Sequence, residues 1–204
     1  MAAVTHDAPA GHATNTGIPN TKLAMWTFLG SECLLFGALL SVYLLYRGNV
    51  PAGPAPYEVY DIPFTSVSSF VLLMSSLTMV LAHSAAVSGD VRKMRIWVMA
   101  TAMLGAVFLS GQVYEFTVFV KEGFTVTSSP AGSAFFVLTS FHGAHVTIGI
   151  LMLLSIVGFS FRGNTRAERP EVVEYVGLYW HFVDIVWIVL FTLVYLIPGP
   201  EAGY

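Results

Sequence analysis

Charged residues are scarce in this sequence of 204 residues. Lysine and arginine number 9 and aspartate and glutamate 12, together 10% of the chain, whereas 55% is hydrophobic and the mean hydropathy is +0.71. An ordinary soluble domain carries about 25% charged residues, so this composition argues against that class. The few basic residues and the net charge of -3 give no indication of a nucleic-acid surface. The composition predicts an integral membrane protein.

Cysteine and early basic residues are also lacking. The single cysteine, Cys33, has no partner for an internal disulfide and lies inside an apolar run. No lysine or arginine precedes Lys22, so residues 1–21 lack the basic start of a secretory signal, and we predict a disordered, solvent-facing tail there. His6 and His12 in this tail are isolated, and we interpret them as polar residues rather than metal ligands.

Long apolar runs dominate the rest of the chain, and a helix of about 20 such residues crosses a bilayer. We predict an all-α integral membrane protein with five transmembrane helices, at residues 22–47, 62–88, 94–120, 131–161 and 171–197. Glycine and proline residues punctuate the short connections between them. Residues 22–198 therefore form one five-helix domain, followed by a short tail at 199–204.

Basic residues are distributed unevenly between the two sides of this predicted bundle. Only Arg47 and Lys121 fall on the side of the C-terminus. The other seven fall on the side of the N-terminus: Lys22, Arg92, Lys93, Arg95, Arg162, Arg166 and Arg169. By the positive-inside rule, we predict that the N-terminus is cytoplasmic and the C-terminus outside.

Glu32 is the one carboxylate of the first span. A helix rises about 1.5 Å per residue, so Glu32 lies roughly 15 Å from Lys22, near the middle of a bilayer about 30 Å thick. A charged acid at that depth costs roughly 2.5–3.5 kcal/mol, so a partner or a function must retain it.

Other polar residues reach a similar depth in the last two spans. His142 and His145 lie three residues apart on one face of the fourth helix, and His181 and Asp184 have the same spacing in the fifth. Glu174 precedes His181 by seven residues and lies on the same side of that helix. We expect these acids and imidazoles to face the bundle interior, where each relieves the desolvation of another, the acid of the first span included.

Gln112 and Glu115 lie one turn apart at the end of the third span. We expect water or lipid head groups to reach them near the outer interface, where a polar side chain costs less. They are secondary candidates for a functional site.

Three functional alternatives follow from polar residues at membrane depth. A haem with two histidine ligands needs imidazoles that face each other across helices, whereas His142 and His145 project from one helix. A metal site built from these two and Asp184 has suitable ligand types, but no characteristic spacing requires it. A proton-coupled transporter explains midplane acids, but these spans lack matching helices broken by glycine or proline.

Four segments of the spans carry a resemblance to a known family. They are SECLLFG at 31–37, GQVYEF at 111–116, FHGAHVTIG at 141–149 and YWHFVDIVW at 179–187. In this order they resemble the characteristic segments of subunit III of the haem-copper terminal oxidases, and the resemblance extends from about Lys22 to Pro198. The last two segments are specific in combination. The chain is identified as resembling the five-helix bacterial form of cytochrome c oxidase subunit III.

The resemblance implies a non-redox core subunit of a proton-pumping oxidase in aerobic respiration. In this family the haems and copper belong to partner subunits, and subunit III packs on subunit I, binds phospholipid, supports proton uptake and protects the enzyme during turnover. We therefore expect no cofactor, metal or catalytic residue in this chain. Subunit II and a small subunit IV are further expected partners, the electron donor binds elsewhere, and the location is the bacterial inner membrane.

Individual residues match positions of the family. Glu32 matches its buried glutamate, which reacts with hydrophobic carbodiimides. His142, His145, His181 and Asp184 match family positions to which we assign packing and lipid-pocket support rather than catalysis. The chain departs from seven-helix members, which have two further N-terminal helices that help to form a lipid-filled cleft. The equivalent subunit of a quinol oxidase is the alternative, and the copper site of subunit II distinguishes the two.

Overall fold

The structure is a computed structural model that describes residues 19–48 and 60–197. Five helices follow one another in these residues: α1 (Asn20–Tyr46), α2 (Ile62–Val87), α3 (Val91–Lys121), α4 (Pro130–Phe161) and α5 (Pro170–Leu190), which continues as a π-helix (Phe191–Leu196). Each of the five is long and apolar enough to cross a membrane, and the described residues contain no strand. The predicted all-α, five-span membrane fold is confirmed.

The predicted tails fall almost entirely outside the described residues. Of the tail at 1–21, the structure describes only its last three residues, and Asn20 and Thr21 already belong to α1. His6, His12 and the tail at 199–204 lie outside the described part of the chain.

Side-chain caps lie at the start of three of the helices, and Asp61 caps α2 by accepting a hydrogen bond from the backbone N–H of Phe64 at 3.1 Å. Asp90 accepts a hydrogen bond from the backbone N–H of Lys93 at 3.0 Å, and Ser129 accepts one from Gly132 at 3.0 Å. This bond from Lys93 also holds the pKa of the Asp90 carboxyl below its ordinary value. Because Asp90 caps α3, the helix begins at Val91, three residues before the predicted start at 94.

The helices α2, α3, α4 and α5 pack around a common core, and α1 lies at its edge, mainly against α4 and α5. The buried residues of α1 are Leu29, Phe36 and Tyr43, which are seven residues apart and form a single stripe. On the opposite side, Leu34 and Leu45 are 77% and 75% exposed, so most of the apolar surface of α1 is not covered by the other described helices.

Trp180 of α5 lies against α2, α3 and α4, and it is 1% exposed. Its indole Nε1 donates a hydrogen bond to Ser75 Oγ at 3.0 Å. A Cβ at Gly105 of α3 or Gly149 of α4 would lie 2.4 or 2.8 Å from the Trp180 ring. The absence of a side chain at these two glycines is therefore what allows α3 and α4 to approach the indole.

The connection between α4 and α5 is fixed to α3 through Arg95. The Arg95 guanidinium donates to Ser160 Oγ at 2.7 Å and to Glu168 Oε1 at 2.9 Å, and its carbon lies 4.7 Å from the centroid of the Phe161 ring. Ser160 Oγ also donates to Glu168 at 2.8 Å. The hydrogen bonds from Ser160 and Arg95 lower the pKa of Glu168, so this carboxylate stabilises the connection in its ionised form.

Candidate functional site

Glu32 of α1 and His145 of α4 face each other across the helix interface. Glu32 Oε2 lies 3.1 Å from His145 Nε2, and the two side chains are only 15% and 13% exposed. The other ring nitrogen, Nδ1, lies 2.7 Å from the backbone oxygen of Phe141. The midplane acid of the first span therefore has a hydrogen-bond partner, and that partner is one of the histidines expected from the sequence.

Aromatic side chains surround this pair. The Phe36 ring lies edge-on to His145, with centroids 5.0 Å apart, and Tyr179 of α5 stacks on the imidazole at 6.4 Å. The Tyr179 hydroxyl donates to the backbone oxygen of His145 at 3.1 Å. The pair is thus held between α1, α4 and α5 in a mostly apolar setting.

His142 lacks the acidic partner that the sequence predicts for it. Its side chain is fully buried, and neither ring nitrogen has a hydrogen-bond partner among the described residues. The imidazole stacks on Trp187 with centroids 4.9 Å apart and meets Phe108 edge-on at 6.0 Å. His142 therefore packs as a ring in the core, while His145, one turn away, reaches α1.

His181 and Asp184 do not pair with the acids and imidazoles of the other spans. His181 Nδ1 lies 2.5 Å from Ser76 Oγ of α2. Asp184 is 4% exposed, and its Oδ1 has no hydrogen-bond partner within residues 19–48 and 60–197. The expected polar cluster is therefore divided between the α1–α4 and α2–α5 interfaces.

Glu174 lies at the beginning of α5 and forms an ion pair with Lys22 of α1, with Nζ and Oε1 2.6 Å apart. Glu174 and His181 line the same cavity of about 160 Å³, as their seven-residue spacing predicts, together with His83 of α2. Glu174 thus ties the start of α1 to α5 rather than joining the midplane residues.

The expectation that water or lipid head groups reach Gln112 and Glu115 is wrong. They are 6% and 5% exposed, because α2 and α4 cover this face of α3. Gln112 Nε2 donates to the backbone oxygen of Thr139 at 2.7 Å. The Thr65 hydroxyl of α2 donates to Glu115. Both side chains are therefore internal contacts between helices.

Hydroxyl groups of α2 are the partners that sequence reasoning missed. Thr65 bonds Glu115, Ser69 accepts from the Trp187 indole at 2.8 Å, and Ser76 bonds His181. Positions 65, 69 and 76 are separated by four and seven residues, which places them on one face of a helix. This spacing of hydroxyl residues in the sequence could have indicated that they share a buried face of α2.

The positions of the histidines and of Asp184 test the alternatives of a metal site and a haem site. No three His, Cys, Asp or Glu residues of the described chain are grouped in a way that could hold a metal ion, so His142, His145 and Asp184 do not form one there. His145 is engaged by Glu32, whereas His142 is enclosed by aromatic rings. The geometry of these residues instead fits contacts between helices.

Comparison with known proteins identifies similar chains. The model of one protein family, described as Cytochrome c oxidase subunit III, matches residues 3–198. Cytochrome c oxidase subunit 3 of Bacillus sp. (strain PS3) is 38% identical over 189 residues, 93% of this chain and 91% of that protein. Two Bacillus subtilis (strain 168) proteins are also similar. Its cytochrome c oxidase subunit 3 is 37% identical over 178 residues (87% of this chain, 86% of that protein), and its quinol oxidase subunit 3 is 36% identical over 190 residues (93% of each).

Proposed function

We propose, since this chain belongs to the cytochrome c oxidase subunit III family, that it is the non-redox core subunit III of a proton-pumping cytochrome c oxidase. As a member of that family, the chain is a subunit III of a haem-copper oxidase, and it is part of a multi-subunit oxidoreductase complex. Electrons from cytochrome c reduce oxygen to water in the partner subunits, and protons move outward. This chain packs on subunit I and sustains proton uptake and turnover.

The observation that carries this proposal is that His145 and His181 form hydrogen bonds within the chain, whereas His142 is enclosed by aromatic rings. His145 bonds Glu32, His181 bonds Ser76, and His142 stacks on Trp187. Side chains used in this way serve helix packing, which supports a role beside the catalytic centre rather than in it. The haems and copper then belong to partner subunits, of which subunit I is the direct neighbour and subunit II and a small subunit IV are others.

Phospholipid is the bound molecule that we propose for this chain. A groove of about 700 Å³ lies between the end of α1 and the start of α4. Leu39, Val42 and Val137 supply an apolar wall, and Ser129 and Ser133 supply hydroxyls at one end. Apolar side chains beside polar ones near a helix end match the acyl chains and head group of a lipid.

The proposed location is the bacterial inner membrane, with the N-terminus in the cytoplasm. The chain is a multi-pass membrane protein, and the similar proteins named above are bacterial. The excess of basic residues at the side where α1 begins supports the orientation.

A quinol oxidase is the second candidate complex. Quinol oxidase subunit 3 of Bacillus subtilis is nearly as similar to this chain as the cytochrome c oxidase subunit of the same organism, at 36% against 37% identity. Subunit III contacts neither electron donor, so its own sequence separates the two only weakly.

Identification of the chains that co-purify with this protein tests the proposal. We expect a haem-copper subunit I and a subunit II that carries the cysteine and histidine ligands of a copper site. A subunit II without those ligands would favour the quinol oxidase. A preparation of this chain that lacks a haem-copper partner, or that shows a Soret band on its own, would contradict both candidates.

Replacement of Glu32 tests its role in sustained turnover. Glu32→Ala removes the bond to His145 and loosens α1, so we expect normal initial oxygen consumption that stops earlier, or weaker retention of the chain in the complex. Glu32→Gln keeps a hydrogen-bonding side chain of similar size and is the matched control. Immediate loss of oxygen reduction in an assembled Glu32→Ala complex with its haems in place would contradict this role.

A further inference from the structure

The hydrogen bonds of His145 specify which of its ring nitrogens carries a proton. Nδ1 lies 2.7 Å from the backbone oxygen of Phe141, and a carbonyl oxygen accepts hydrogen bonds but never donates them. This oxygen has two lone pairs, so it accommodates the ring as well as the helical N–H of residue 145. Nδ1 therefore carries a hydrogen, and Nε2 of a neutral His145 is an acceptor.

The contact between His145 and Glu32 then requires one more proton. An ionised carboxylate also only accepts hydrogen bonds, so a neutral imidazole of this tautomer and a carboxylate present lone pairs to each other. Two acceptors 3.1 Å apart repel, whereas one proton between Nε2 and Oε2 makes a hydrogen bond of ordinary length.

We propose that Glu32 and His145 together hold one proton and form a pair without net charge. The proton rests either on the carboxyl, which then donates to Nε2, or on the imidazole, which then donates to Oε2. Both forms keep the hydrogen bond to Phe141 and the bond between α1 and α4. The structure thus assigns a proton-holding site at the interface of these helices, which goes beyond the proposed role of the chain in turnover.

The surroundings of the pair offer no other charge to balance it. Within residues 19–48 and 60–197, no lysine or arginine forms an ion pair or hydrogen bond with Glu32 or His145. The titratable neighbours are His142, one turn away on α4, and Tyr179 on α5, whose hydroxyl donates to the backbone oxygen of His145. A pair with no proton to share would carry a net negative charge between mostly apolar helices, which is unfavourable.

A consequence for the fold is that the proton links α1 to the bundle. Loss of the proton replaces an attraction between α1 and α4 with repulsion between two acceptors. The hydrophobic contact of α1 is a single buried stripe, and this bond adds to the Lys22–Glu174 ion pair as a polar link between α1 and the rest of the bundle. Glu32→Gln reproduces the neutral acid, because its amide N–H can donate to Nε2 without a titratable proton.

Infrared difference spectroscopy of the purified complex at neutral pH tests the proton count. The wild type is compared with Glu32→Gln, and ring-labelled histidine identifies imidazolium bands. Two results support the site: a carboxylic-acid band that disappears in the variant with His145 neutral in both, or carboxylate and imidazolium bands that disappear together. A carboxylate beside a neutral His145 would overturn the site, because the pair then holds no shared proton. A carboxylic acid beside an imidazolium would also overturn it, because the pair then holds two.

Retention of this chain in the purified complex is the second measurement, and it guards against a variant that fails to fold. Glu32→Gln should be retained like the wild type, whereas Glu32→Ala should lose the chain on detergent washing. Retention of Glu32→Ala at the wild-type level would overturn the link between the shared proton and the attachment of α1, because this substitution removes the bond to His145 altogether. Neither readout depends on oxygen reduction, so a failure of the proposed function would be distinguishable.

Discussion

A methyl group at Gly149 should destabilise the bundle through its contact with Trp180. The added Cβ would lie 2.8 Å from the indole, against about 3.5–4.0 Å for a relaxed contact between carbon atoms, so one partner must move by roughly 0.7–1.2 Å. Trp180 is 1% exposed and bonded to Ser75, which leaves the ring little freedom. Overpacking of this kind costs about 1–3 kcal/mol.

The matched control is Gly30→Ala on α1, where a Cβ would meet nothing within 4 Å. Both substitutions gain the helix propensity of alanine, worth up to about 1 kcal/mol, so their difference reports the contacts of the added methyl, of which those with Trp180 are the shortest. We expect Gly149→Ala to have a free energy of unfolding about 1–3 kcal/mol lower than that of Gly30→Ala. Titration with denaturing detergent in mixed micelles, followed by circular dichroism, measures it.

A double-mutant cycle identifies Trp180 as the cause. Trp180→Phe removes ring atoms that the new methyl meets, so Gly149→Ala should destabilise the Trp180→Phe variant less than the wild type. Equal stability of the two alanine variants, or the same effect of Gly149→Ala in both backgrounds, would refute the packing explanation.

Two further predictions concern the connection after α4 and the hydroxyls of α2. The pKa of folded Glu168 is below its ordinary value of 4.5, so its ionised form stabilises residues 162–169 above that pH and the effect disappears as pH falls through the lowered pKa. Hydrogen exchange there should be slower in the wild type than in Glu168→Gln at pH 7, with no difference in strong acid; a difference that persists in acid would contradict this. Ser69→Ala leaves the buried Trp187 N–H without its acceptor and should lower the free energy of unfolding by roughly 1–3 kcal/mol. The control Ser66→Ala, at an exposed site, should change the free energy of unfolding very little. Equal effects of the two substitutions would argue against the bond between Ser69 and Trp187.

The positions of the spans follow from the sequence because membrane crossing depends on length and apolar composition. The depth of Glu32 and His145 could also be counted from the helix rise, and the structure indeed brings these two together. What the sequence determines well is therefore position along each helix.

Rotation about each helix axis is less predictable, because it depends on which neighbour packs where. Gln112 and Glu115 lie near the end of α3, as expected, but α2 and α4 cover the face that carries them. A serine such as Ser76 can occupy a lipid-facing or a buried position in a helix, so the sequence does not indicate which it takes. Its role as the hydrogen-bond partner of His181 is visible only once α5 is known to pack against α2. The π-helix at Phe191–Leu196 has no proline or glycine that would indicate it.

The location of α1 determines the order in which the bundle is completed during synthesis. This helix is made first, yet it packs mainly on α4 and α5, and Glu32 precedes its partner His145 by 113 residues. At about 5–20 residues per second, a ribosome needs on the order of ten seconds to reach that histidine. The first of these five spans must therefore remain in the membrane without its main neighbours until the fourth and fifth have been inserted.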